Sequence, residues 1–239
     1  MKKAFTLIEL LVVVAVMSAL TALIVPALSG LQTAGNITNS AYEIASALQR
    51  ARTYAMTHNT YVWVGFHEES ASPTASANTP GSGRVLIAMA ASIDGTQIFD
   101  DSSTTASLPS NRIVAIEKLL RLDNVHLADL AAPAGGNNPA SLDGRPDDPY
   151  TGDESSKFRV NSESSAQTPH PLNMLQYTFN QTVRFSPNGE ASINGETDLP
   201  RIGEIGLCPT QGSRVDSNNK NVAAIQFTGA GGNVEIYRR

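Results

Sequence analysis

Glu9 is the only charged side chain between Phe5 and Leu28, in the run FTLIELLVVVAVMSALTALIVPAL. A carboxylate in so apolar a segment is costly to keep ionised unless a cation meets it, so it marks a functional position with a partner to be named. Beyond this run the chain offers little chemistry. His58, His67, His126 and His170 stand far apart in the sequence, and no Gly-x-Ser-x-Gly, His-Glu-x-x-His or phosphate-cradling glycine loop is present. Cys208 is the single cysteine, which excludes an intramolecular disulfide. With no Cys-x-x-Cys and no neighbouring His, it reads as a small core residue. His67-Glu68-Glu69 lacks a further ligand at metal spacing and reads as a hairpin edge in water. Asp143, Asp147, Asp148, Asp153 and Glu154 lack the alternating spacing of a calcium loop and read as a solvated acidic loop. No cofactor, metal or enzymatic activity is expected.

The element that must position Glu9 is the run itself. At about 1.5 Å per residue a helix over Phe5–Leu28 spans roughly 36 Å, enough to cross a bilayer with some tilt. Lys2 and Lys3 precede it directly, and the next basic residues, Arg50 and Arg52, come well after it. That asymmetry keeps the N-terminus cytoplasmic and sends the remainder across the membrane. Pro26 lies within the helix and is expected to kink it. After Gly30 the pattern becomes amphipathic. Ile37, Ala41, Ile44, Ala45, Leu48, Ala51 and Ala55 recur at helical spacing, with Asn39, Glu43, Gln49, Arg50 and Thr53 on the other side. The helix is expected to run to about His58-Asn59, with Arg50 and Arg52 on a solvated face.

The stretch Lys2-Lys3-Ala4-Phe5-Thr6-Leu7-Ile8-Glu9-Leu10-Leu11-Val12 resembles the leader of type IV prepilins and type II secretion pseudopilins. The resemblance implies cleavage by a prepilin peptidase between Ala4 and Phe5, N-methylation of Phe5, and pairing of Glu9 with the Phe5 amine of a neighbouring subunit during filament assembly. Glycine usually precedes the cut in that family; Ala4 stands there in this chain. Members often carry a proline near the depth of Pro26. The segment SALQRARTYAMTHNTYVWVGF, the turn Val183-Arg184-Phe185-Ser186-Pro187-Asn188-Gly189 and the glycines Gly229–Gly232 before VEIYRR resemble the H-type (FimT-like) minor pseudopilins.

The resemblance implies an α+β, pilin-like fold: a long N-terminal helix, membrane-spanning in its first half, packed on a C-terminal antiparallel sheet. It divides the chain into a leader (1–4), an assembly helix (5–28), its amphipathic continuation (29–59) and a periplasmic β domain (60–239) with an insertion at about 131–171. Strands are expected at Thr60–His67, Arg84–Ser92, Thr96–Phe99, Asn124–Leu130, Gln176–Ser186, Ala191–Ile193, Ile202–Leu207, Ala223–Thr228 and Asn233–Tyr237. Asn111–Leu122 is compatible with strand or helix. Poor in apolar residues, 131–171 reads as a surface loop. The implied partners are the peptidase, other pilin or pseudopilin subunits, an inner-membrane assembly platform and the lipid bilayer. Loss of Lys2 and Lys3 with the leader leaves 15 basic against 22 acidic residues, a net charge of −7. That balance argues against nucleic-acid binding. The alternative reading is a filament-tip adhesin or a DNA-binding minor pilin; a membrane-anchored enzyme ranks below both.

Overall fold

The computed structural model describes residues 7–76, 78–98, 108–130, 159–160, 172–193, 199–215 and 220–238, the side chains of 22–34 excepted. The expected helix is there as one element, α1 (Leu7–His58). It stops at Asn59, whose φ of 49° is the left-handed turn that ends many helices. Thr60 N then donates back to the Ala55 carbonyl at 3.0 Å, satisfying one of the terminal acceptors. The amphipathic stripe faces the core as predicted: Ile37, Ala41, Ile44, Leu48, Ala51 and Ala55 are all fully buried. Four alanines among the stripe's buried residues keep the helix surface low, so the sheet can lie close against it.

Thirteen strands are described: β1 (Val62–Ser70), β2 (Gly83–Ser92), β3 (Ile113–Ala115), β4 (Leu120–Leu127), β5 (Arg159–Val160), β6 (Leu172–Met174), β7 (Tyr177–Phe179), β8 (Gln181–Phe185), β9 (Ala191–Ile193), β10 (Gly203–Gln211), β11 (Arg214–Val215), β12 (Ala223–Phe227) and β13 (Val234–Arg238). The main sheet runs β13-β12-β10-β4-β2-β1-β8-β9, antiparallel along this path. It curls around the end of α1 until its two ends touch, where Ala191 N of β9 donates to the Gly229 carbonyl of the β12–β13 turn at 2.7 Å. Arg52 sits between the turns there. A Cβ on Gly232 would lie 2.5 Å from the Gly189 carbonyl oxygen and 2.9 Å from Arg52 Cδ, so only glycine fits.

The core on the helix side joins the α1 stripe to Val64, Phe66, Ile87, Val183, Phe185, Ile205 and Ile225. A second cluster covers the opposite face: Trp63, Leu86, Ala90, Leu108, Leu172 and Phe179. With both faces covered, β1 and β2 are buried almost end to end. Doubly covered strands read as continuous apolar runs, which blurs the alternation used to place them.

Several sequence expectations change here. β1 is a central strand, paired with β2 and β8, and not an edge in water. Asn111–Leu122 resolves into β3 and the start of β4, and that strand ends at Leu127. Thr96–Ile98 forms no strand. Instead, Asp94 Oδ1 accepts from Thr96 N at 3.1 Å, Thr96 Oγ1 at 2.7 Å and Ser92 Oγ at 2.9 Å, closing the turn locally. Those bonds and Arg112 hold the Asp94 carboxyl far below its ordinary range. Within 131–171, Arg159–Val160 is a buried strand, parallel to β10, and not surface. Arg159 donates to Asp129 at 3.0 Å, which makes its burial tolerable. The remainder of that insertion, including the five acidic residues and His170, lies outside the described residues.

Gln176–Ser186 is also not one strand. Leu175 and Gln176, with φ of 52° and 72°, form a two-residue turn between β6 and β7, which pair apart from the main sheet. Positive φ at both positions favours Asn or Gly, so Leu-Gln gives no local turn signal. Asn78 Nδ2 braces the turn by donating to the Gln176 carbonyl at 2.8 Å. The hairpin sits over His67, whose ring centroid lies 5.6 Å from that of Tyr177 and 6.2 Å from that of Phe179. Burial pushes the imidazole below its ordinary value, against smaller opposing effects of the Thr178 backbone, Glu69 and Glu68. The folded chain therefore binds fewer protons at His67 than the unfolded chain, whose imidazole titrates near about 6.5. The stability His67 contributes is present above that pH and is lost as the pH falls below it. Thermal unfolding between about pH 7 and about pH 5 should show a shallower loss of stability in His67→Gln than in the wild type. Equal slopes would refute this assignment.

Candidate assembly surface

The first half of α1 makes no use of the domain that buries the second half. Leu7 is 82% exposed, Leu10 62%, Met17 63% and Leu20 55%, and every described side chain from Leu7 to Thr21 is exposed. A helix apolar all round belongs in lipid or among other helices. Its two hydroxyls already look inward: Ser18 Oγ and Thr21 Oγ1 each donate to the carbonyl four residues back, at 2.8 Å. Such back-bonding leaves no hydroxyl proton to desolvate in apolar surroundings. Glu9 stands in the first described turn of this rod, on an exposed position. Ala4 and Phe5 lie outside the described residues, as does the Pro26 side chain; the backbone continues through Pro26 as part of the one helix α1. No helix among the described residues is long and apolar enough to cross a membrane; the described side chains of the rod end at Thr21.

At its far end α1 meets the connection between β3 and β4. Arg50 Nε and Nη2 donate to Glu117 Oε1 and Oε2 at 2.6 and 2.9 Å, and Arg50 Nη1 donates to Ser46 Oγ at 2.6 Å. The Glu117 hydrogen bond holds the Arg50 guanidinium more firmly protonated than usual. The expected solvated face is thus half right. Arg50 remains 46% exposed but clamps the connection, whereas Arg52 is half-buried between two glycine turns. Tyr54 and His58 stack with centroids 3.9 Å apart and planes 16° apart. Between this end of the helix and Ile116 lies an open cleft of about 520 Å³, bordered by Gln49, Thr53 and Thr57.

A second polar constellation was invisible in the sequence. Glu68 and Glu69 are 8% and 4% exposed. Glu68 Oε1 accepts from His126 Nδ1 at 2.9 Å and from Gly83 N at 3.1 Å, while Oε2 lies 3.4 Å from Leu127 N. Glu69 pairs with Arg84 at 2.6 Å, and Arg84 with Asp123 at 2.9 Å. These carboxylates tie β1 to β4 and to the start of β2, and they are structural. Cys208 is buried beside Leu130, Val222 and Ala224, as expected of a core residue. His126 is its cross-strand partner, a neighbour that sequence distance concealed.

What the exposed rod is for turns on the segment that heads it. Residues 1–25 match the prokaryotic N-terminal methylation motif. The motif takes in Ala4, Phe5 and Glu9 and stops one residue short of Pro26. It supports a type IV prepilin-like protein, and it implies processing by a prepilin peptidase and assembly with other pilin subunits. A methylation motif on an apolar helix fits a structural pilin better than an enzyme. No curated protein and no solved structure matches the chain.

Proposed function

We propose that this chain is a minor pilin or pseudopilin of a type IV pilus or a type II secretion pseudopilus. It is held in the inner membrane by its N-terminal helix, N-terminus inside, with the sheet domain in the periplasm. Prepilin peptidase cuts between Ala4 and Phe5 and methylates Phe5. The subunit then enters the filament as Glu9 meets the Phe5 amine of a neighbour. The observation that carries this reading is the methylation motif at the head of a helix whose side chains from Leu7 to Leu20, apolar but for Glu9 and Ser18, are uncovered. The basic pair Lys2-Lys3 supports the orientation. The assignment to the H-type group rests on the helix end and on the turns at Pro187-Asn188-Gly189 and Gly229–Gly232. Both are present as turns around Arg52.

The direct test is the N-terminal residue of the protein recovered from membranes, by intact mass, with and without co-expressed prepilin peptidase. The expected mature chain begins at N-methylphenylalanine 5, and only when the peptidase is present. A chain that keeps Met1 under both conditions would make the segment a plain signal anchor. One that begins near Gly30 would make it an exported protein with no assembly helix.

A further inference from the structure

Arg52 is seated where the two ends of the sheet meet, with a glycine turn on either side. A Cβ on Gly189 would lie 3.2 Å from Arg52 Nε, and one on Gly232 would lie 2.9 Å from Cδ and 3.0 Å from Nε. Both glycines have positive φ, 83° and 60°, so each turn favours the residue that leaves room for the arginine. The stem is thereby held in place. Nε is buried and has no hydrogen-bond partner, and no carboxylate among the described residues pairs with the guanidinium. The residue as a whole is half-buried, so the outer edge of the guanidinium stays open to solvent.

Other arginines withdrawn from water are treated differently. Arg84 meets Glu69 at 2.6 Å, Arg112 meets Asp94 at 2.7 Å and Arg159 meets Asp129 at 3.0 Å. Acids are not scarce, since the chain has 22 against 17 basic residues. Glu190, which follows Gly189 in the turn, is engaged elsewhere and accepts from Ser186 Oγ at 3.1 Å. A guanidinium fixed by packing and left without an acceptor is prepared for an anion from outside the chain. One positive charge with two parallel N–H donors matches a carboxylate in charge and in shape. A single half-exposed pair is too weak to hold a free carboxylate from solution, so the acid must arrive on a surface that other contacts bring into place. Filament assembly through the N-terminal rod would supply those contacts.

We propose that Arg52 receives a carboxylate of the adjacent subunit when the filament assembles. The inference rests on the filament reading above and adds to it a contact made by the sheet domain. The full-length wild-type protein is treated with phenylglyoxal, which modifies accessible guanidinium groups, as detergent-extracted subunits and as sheared filaments. Mass spectrometry compares Arg52 with Arg214, which is exposed on β11. The expected result is loss of modification at Arg52 in filaments, with Arg214 modified alike in both. Equal modification of Arg52 in both states overturns the contact and leaves the filament reading standing. Protection of Arg52 in both states also overturns it, because the guanidinium would then be engaged within its own chain. Loss at both arginines in filaments does the same, because the whole domain would then be covered. Absence of the wild-type subunit from filaments overturns the filament reading itself, and the contact with it. Arg52→Lys keeps the charge and supplies an amine that carbodiimide joins to a touching carboxylate. This variant should enter filaments and couple there to an Asp or Glu of another subunit. Coupling that leaves the chain at monomer mass, no coupling at all, or exclusion of the variant from filaments overturns the carboxylate assignment.

Discussion

Glu9→Ala should yield a subunit that accumulates in the membrane and is missing from sheared filaments. The rod around Glu9 is apolar on every side, and its described side chains are uncovered in the single chain. When neighbours close around it, a carboxylate there must either be neutralised by a cation or be excluded from the bundle. Leaving one member of a buried pair alone costs about 3–5 kcal/mol. At about 1.4 kcal/mol per decade, the lower figure already corresponds to more than a hundredfold loss of incorporation. Glu9→Gln separates charge from shape: it keeps the volume and the hydrogen-bonding capacity and removes the anion. If the neighbouring amine is the partner, Glu9→Gln should fail nearly as badly as Glu9→Ala. Filaments that carry either variant at wild-type level would rule out the pairing.

Glu68→Ala is expected to cause the largest loss of stability among substitutions outside the rod. One carboxylate accepts from Gly83 N and His126 Nδ1 and approaches Leu127 N, holding three chain segments together with its side chain 4% exposed. Truncation leaves those donors facing a void, and breaking a buried pair in this way costs about 3 kcal/mol or more. For a chain of this size that corresponds to a fall in Tm of roughly 6–12 °C. Thermal unfolding of the full-length protein in detergent, followed by circular dichroism, reads it directly. Glu117→Ala provides the contrast: its ion pair with Arg50 is partly exposed on both sides and should change Tm far less. A Glu68→Ala melting curve superimposable on the wild type would show that the carboxylate holds nothing.

The two predictions differ in how much of their basis a reader of the sequence alone would have seen. Glu9 needed no coordinates. One acid in an unbroken apolar run is a local anomaly, and the cost of burying it follows from chemistry. The buried stripe from Ile37 to Ala55 was equally legible, because a helix positions residues by spacing along one chain. So were the turns at Pro187-Asn188-Gly189 and Gly229–Gly232, whose residues favour bends wherever they occur. Glu68 was not. Its sequence neighbours, His67 and Glu69, read as a solvated edge, and only pairing with β2, the β6–β7 hairpin over His67, and His126 and Arg84 against the two carboxylates take them out of water. The Leu175-Gln176 turn depends on a brace from Asn78, and the burial of Arg159-Val160 on pairing with β10 and on Asp129. Each of these is decided by a partner far away in sequence, and the period of a strand fixes which face a side chain takes, not which strands flank it. The sequence therefore determined the long N-terminal helix and its lone carboxylate. The tertiary structure decided which of the remaining charges hold the sheet together and where the helix keeps an uncovered cleft.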